Sequence, residues 1–97
     1  METYIILANF TKQGVEKIKE SPTRLDAAKK AFSSFGAEMK HFFLVTGQYD
    51  MVVIVEAPDA AAVAKAILAI TSAGSVRSET LRAFTEAEYR DIIAALP

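Results

Sequence analysis

Cysteine is missing from all 97 residues, which removes disulfides, thiolate zinc sites and cysteine nucleophiles at once. Histidine occurs once, as His41, and the carboxylates are scattered, so no metal-ligand spacing can be found and no metal is expected. The four glycines, Gly14, Gly36, Gly47 and Gly74, lie far apart. A glycine-rich phosphate loop and a dinucleotide fingerprint are therefore excluded, and there is no Gly-x-Ser-x-Gly elbow; no cofactor is expected. No stretch approaches the ~20 apolar residues of a membrane span. The opening Met1-Glu2-Thr3-Tyr4 has no basic region ahead of its apolar run, so it does not read as a signal peptide. Net charge is −1, with seven bases and five acids in residues 1–49 and four and seven in residues 50–97. Such a balance gives no pull towards nucleic acid, and the chain is expected to be soluble and cytoplasmic.

What is abundant is apolar surface. The hydrophobic fraction is 52%, high for one domain of this length, which has little interior relative to its surface. Residues 1–97 read as a single domain, with an apolar excess that self-association would bury.

The pattern turns on Gly47-Gln48-Tyr49-Asp50, between the apolar runs Lys40–Thr46 and Met51–Ala57. Glycine followed by a polar residue between two β-rich runs is a hairpin signal, because glycine tolerates the positive φ of a tight turn. With Gly47 and Gln48 as the turn, Thr46 opposes Tyr49 and the side-chain parity of both strands follows. Lys40, Phe42, Leu44, Thr46, Tyr49, Met51, Val53 and Val55 fall on one face. Met39, His41, Phe43, Val45, Asp50, Val52, Ile54 and Glu56 fall on the other.

Before the hairpin, Tyr4–Phe10 reads as a buried strand. Thr11 caps a helical turn, and after a break at Ser21-Pro22 a main helix runs over 22–35, with Leu25, Ala28, Phe32 and Phe35 as its buried stripe and Gly36 as its C-terminal cap. After the hairpin, Pro58 and Asp59 open an alanine-rich helix whose small residues let it lie close to the sheet. Val63, Ile67 and Ile70 share one of its faces, and it ends by Gly74. Val76–Phe84 is a more polar strand. Thr85 and Glu88 form a capping box for a short final helix with Tyr89, Ile92, Ile93 and Leu96 on one side.

Strand, helix, strand, strand, helix, strand is the order of an α+β ferredoxin-like βαββαβ sandwich, here with an added C-terminal helix. The first and third strands would be central and the fourth an edge. Two helices cover one face of such a sheet. The more uniformly apolar set, with Phe42 and Val53, is assigned to that face, and the set containing His41 to the open one. Ile5, Leu7 and Asn9 join the open face. In the fourth strand Leu81 and Ala83 are expected to point inward, with Ser78, Thr80 and Arg82 outward.

Burying Ile5, Leu7, Phe43, Val45, Val52 and Ile54 is worth roughly 1.5–3 kcal/mol each, on the order of 10 kcal/mol together. A second copy packed sheet to sheet is the expected cover, giving a homo-oligomer, a dimer or larger. His41 opposes Ile54 and is diagonal to Glu56. It reads first as an interface histidine and second as a general base or ligand contact. Asp50 reads as an acceptor for turn amides, and it lies too far along the hairpin to pair with His41 in one chain. Phe42-Phe43 on a strand could suggest RNA stacking, but the basic surround and the glycine-aromatic motif are missing.

Phe10-Thr11-x-x-Gly14, Ser21-Pro22 with Arg24, Gly47-x-Tyr49-Asp50, Ala57-Pro58-Asp59, and Gly74-x-Val76 leading to Thr80-Leu81-Arg82-Ala83-Phe84 together resemble the GYD-domain family, over nearly the whole chain and in order. Gln48 stands between the glycine and the tyrosine. The resemblance implies a small bacterial or archaeal protein with a ferredoxin-like fold of the dimeric α/β-barrel type; it brings no known reaction.

Three functions follow as expectations. The first is a homo-oligomer that holds a small, partly apolar molecule between its sheets, with Asn9, His41 and Arg82 as polar contacts and Phe43 and Ile54 as walls. The second is a cofactor-free oxygenase or isomerase with His41 as base. The third is a protein-assembly module without a ligand.

Overall fold

The computed structural model describes all 97 residues. In chain order it contains β1 (Glu2–Phe10), α1 (Lys12–Glu16), a 3-10 turn (Ile18–Glu20), α2 (Ser21–Ser34), β2 (Glu38–Leu44), β3 (Met51–Ala57), α3 (Ala60–Thr71), β4 (Val76–Ala83) and α4 (Glu86–Ala94). The four strands form one antiparallel sheet in the order β2-β3-β1-β4. This is the ferredoxin-like sandwich, with β1 and β3 central, β4 at an edge and one helix added at the C-terminus.

Alternation along the central strands decides what is buried. Tyr4, Ile6, Ala8, Met51, Val53, Val55 and Ala57 point to the helices and are buried, while Ile5, Leu7, Val52 and Ile54 between them are only half-buried. From α2, Phe32 enters the core; from α3, Ala62, Val63 and Ala66 do so. Leu25 and Ala28 are half-buried. Phe35, expected on the same stripe, is exposed because it sits at the helix's C-cap, past the last regular turn. Gly36 follows with φ +77 and donates its amide to the Ser33 carbonyl.

The hairpin keeps the expected register from His41 to Ile54: Leu44 opposes Met51 and the Val45 amide donates to the Asp50 carbonyl, with Gly47 at φ +126. Below His41 the register slips. A bulge between Met39 and His41 places Met39 opposite Val55, on the helix side, where it packs against the core. Lys40 turns instead to the open side and bridges Glu38 and Glu56. One inserted residue reverses every side chain before it, so the expected faces of Met39 and Lys40 are exchanged.

The parity of β4 is also the reverse of that expected. Leu81 opposes Ile5, Glu79 opposes Leu7 and Ala83 opposes Thr3, so these lie on the open face; Ser78, Thr80 and Arg82 oppose Ala8, Ile6 and Tyr4, on the helix side. Both faces of this strand are partly polar. Its pairing with β1 therefore decides its orientation, and its own hydrophobicity does not.

Candidate functional site

The open face consists of four rows of side chains running across the sheet. Phe43, Val52, Leu7 and Glu79 form one, and His41, Ile54, Ile5 and Leu81 the next. A third contains Glu38, Glu56, Thr3 and Ala83, with Lys40 inserted beside it. At the turn end, Asn9 pairs with Arg77. The middle of the face is apolar and each end is polar.

At one end the Lys40 ammonium lies 3.5 Å from Glu38 and 3.4 Å from Glu56. These two carboxylates, Glu38 more than Glu56, raise the lysine above its ordinary pKa. Glu56 is thereby engaged with lysine and does not serve His41. The His41 ring stacks on Phe43, with centroids 6.1 Å apart and planes 11° from parallel. Both rings are exposed.

At the other end the turn folds over the sheet. Tyr49, expected on the helix side, instead reaches the open face and donates its hydroxyl to Glu79 at 2.8 Å. Tyr49 belongs to the turn rather than to a paired strand, so strand parity does not constrain it. That bond, followed by loss of solvent, raises the tyrosine pKa. Leu7, Asn9, Tyr49, Arg77, Ser78 and Glu79 line a shallow recess of about 190 Å³.

Asp50 ties this end together, accepting from the Phe10 amide at 3.0 Å while its own amide donates to the Ala8 carbonyl and to Asn9 Oδ1. The Asp50 carboxylate thus satisfies backbone, but its donor is the Phe10 amide 40 residues away in the chain and not an amide of the turn.

The residues expected to share one ligand divide into three places. His41, Phe43 and Ile54 are neighbours on the open face. Asn9 is on the same face, but two strands over and four residues along from the row of His41. Strand spacings of ~4.8 Å and rises of ~3.4 Å make that separation roughly 17 Å. Arg82 is on the opposite face, a correction to its expected place. Its guanidinium lies 5.6 Å from the Tyr4 ring and 4.4 Å from the Phe84 ring, with Glu2 at 3.8 Å and Glu88 at 3.9 Å. There it anchors the start of α4.

A second cavity, with no counterpart among the sequence expectations, lies beneath the helices. It measures about 240 Å³ and is lined mainly by apolar side chains, including Phe10, Leu25, Phe42 and Ile70. Ala8, Ala27, Ala28, Ala69 and Ala73 also border it. Ala62 and Ala66 do bring α3 close to the sheet, as expected. The same small side chains further along leave space unfilled, and this clustering of alanine was the available signal.

Three of the motifs quoted for the family resemblance, those around Thr11, Arg24 and Gly74, converge on a junction beside this cavity. Thr11 donates from its amide to the Ser75 carbonyl at 3.0 Å and from its hydroxyl to the Gly74 carbonyl at 2.6 Å. Arg24 donates to the Gly14 and Lys17 carbonyls at 3.2 and 2.9 Å. Gly14 is required by space: a Cβ there would stand 2.2 Å from the Ser75 carbonyl oxygen. No group of three or more His, Cys, Asp and Glu side chains is placed to hold a metal ion. No helix is long and apolar enough to cross a membrane.

Comparison with known proteins agrees with this architecture. A Thermus thermophilus protein named glutamine synthetase and cystathionine beta-lyase binding protein is 39% identical over 97 residues, 99% of each chain. Among solved structures, a Thermus thermophilus protein of 26% identity matches with a TM-score of 0.57, over 88% of this chain and 95% of that one. Two Mycobacterium tuberculosis regulators, each 14% identical, share the fold. One is a feast-or-famine regulatory protein solved with L-methionine (TM-score 0.66, 88% of this chain) and the other a leucine response regulatory protein (0.64, 87%). This chain spans about half the length of either regulator, 51% in both cases. The GYD domain model matches residues 4–93, the whole sandwich and most of the final helix, and the chain belongs to the GYD domain family.

Proposed function

We propose that the protein is a homodimeric binding module: two copies pair through their open sheet faces, and the assembly docks on other proteins rather than catalysing a reaction. The observation that carries this reading is the broad apolar centre of the open face, with Phe43 51% and Leu81 40% exposed. An apolar surface of this extent marks an interaction site. The end-to-end relative named for binding glutamine synthetase and cystathionine beta-lyase supports protein partners of that kind. The enzyme reading has no comparable support, because Glu56 is held by Lys40 and Asp50 by the Phe10 amide, leaving His41 without a carboxylate in its own chain.

Sedimentation of the purified protein at micromolar concentration, alone and with each of those two enzymes from its own source, tests the proposal. A dimer that co-sediments with at least one enzyme is expected. A lone protomer that leaves both enzymes' boundaries unchanged would overturn it.

A small-molecule reading stands second, favoured by the apolar cavity of about 240 Å³ under α2 and α3. That cavity lies on the helix side of the sheet, away from His41, Phe43 and Ile54, which would form a separate contact group between the sheets of the dimer. Asn9 would belong to the separate recess by Tyr49. A ligand that binds the native state raises the melting temperature with its concentration. Small aromatic and aliphatic probes that leave it unmoved at millimolar levels would remove this second reading.

A further inference from the structure

The final helix is built to form and yet is held to its own chain only at its first turn, through Arg82 and Glu88. Its capping box is complete: Thr85 Oγ1 accepts from the Glu88 amide at 3.2 Å, and the Glu88 carboxylate accepts from the Thr85 amide at 2.9 Å. Beyond that first turn no strand or helix of the protomer packs along it. From Phe84 to Pro97 every residue except Glu88 is exposed. Tyr89, Ile92, Ile93 and Leu96, the apolar stripe, are 45–61% exposed.

A nine-residue helix without a packing surface is marginal in water, so this one needs an outside surface to persist. The shape of the protomer is consistent with an outlying element. Its radius of gyration is 14.6 Å, against roughly 12.5 Å for a closely packed chain of this length.

We infer that α4 is an exchanged arm, which clasps a second copy of this chain and enlarges the sheet-to-sheet dimer; the inference rests on the pairing proposed above. Continuity is the first argument. Ala83 lies at the margin of the open face and α4 begins three residues later, held through Glu88 to Arg82 on the helix side, so the arm leaves from the edge strand, beside the surface the partner would cover.

Area is the second. Four strands about 4.8 Å apart and about seven residues long present a flat footprint of ~440 Å², and the two ends of that footprint are polar. A stable interface buries about 600–1,000 Å² per partner. A nine-residue helix offers a face of ~135 Å². In a two-fold dimer each protomer both gives an arm and receives one, which brings the total to ~710 Å².

The test measures the dimer dissociation constant by analytical ultracentrifugation and amide hydrogen exchange across residues 89–94, on the full-length protein. Protection of those amides should rise with the fraction of dimer. Ile92→Asp with Ile93→Asp should raise the dissociation constant at least tenfold and leave the β-sheet signal of the body intact. An unchanged constant, or α4 amides that exchange freely while the protein is dimeric, overturns the arm but leaves sheet pairing standing. Protection that does not depend on concentration assigns α4 to its own chain and overturns the exchange. Protection that appears only when glutamine synthetase or cystathionine beta-lyase is added assigns the arm to that partner instead. A wild-type protein that stays monomeric throughout overturns pairing and arm together.

Discussion

On the helix side of the sheet, Tyr4, Ile6, Val53 and Val55 are at most 8% exposed. Directly between them on the other side, Ile5, Leu7, Val52 and Ile54, equally apolar, are only half-buried. The difference lies in the supply of cover. Two helices shield one face of four strands, and the third helix long enough to help, α4, stands apart. Residue chemistry therefore places both faces of a central strand in demand of burial, and topology decides which face obtains it within one chain. Even the covered side is incompletely filled, since a cavity of about 240 Å³ remains among its alanines.

The contrast is sharpest at Phe32, 2% exposed at the centre of the covered side. Phe32→Ala should destabilise the protomer by about 3–5 kcal/mol, through lost burial and the void left behind. Urea denaturation would read this as a lower midpoint at unchanged slope. A cost under about 1 kcal/mol would mean that the covered side is no better packed than the open one.

Next in size is Gly14→Ala, at the junction that holds β4 in line. The new methyl group meets the Ser75 backbone oxygen, and overpacking of this kind costs about 1–3 kcal/mol. Thermal melting should fall accordingly, and full retention of stability would show that the junction yields easily.

Ile54→Glu addresses the open face. Its effect on protomer stability should be modest, about 1 kcal/mol for a half-buried strand position, while the proposed dimer should be lost in light scattering. The reverse result, an unfolded protomer or an undisturbed dimer, would erase the distinction between the faces.

The smallest effect concerns pH. The Glu88 carboxylate accepts the Thr85 amide, which holds its pKa below the ordinary value of 4.5, with smaller help from Arg82. A depressed folded-state pKa means that the contribution is present above the unfolded value and is lost as pH falls through the folded one. Helix signal from α4 should therefore decline below about pH 4.5, and Glu88→Gln should flatten that decline.

How much of this was visible in the chain depends on how each face is determined. The hairpin's faces from Phe42 to Val55 could be read, because a short turn with Gly47 links two strongly apolar runs and side chains alternate with period two. The bulge beside Lys40 could not, since one extra residue leaves composition unchanged while exchanging Met39 and Lys40 between faces. For β4, polar on both sides, no internal preference exists. Arg82 was accordingly placed among the ligand contacts, although pairing with β1 sets it over Tyr4. Tyr49 escaped for a different reason, because a turn side chain is free to reach Glu79.

By itself the sequence determined the number, order and type of the elements, the central position of β1 and β3, the capping box of α4 and the surplus of apolar surface. Those are properties of local spacing and of composition, which act over a few residues. Only the tertiary structure decided the orientation of β4, the separation of Asn9 from His41, the cavity beneath the helices and the isolation of α4. Each of these depends on contacts between segments far apart in the chain, where no local period records which surface meets which.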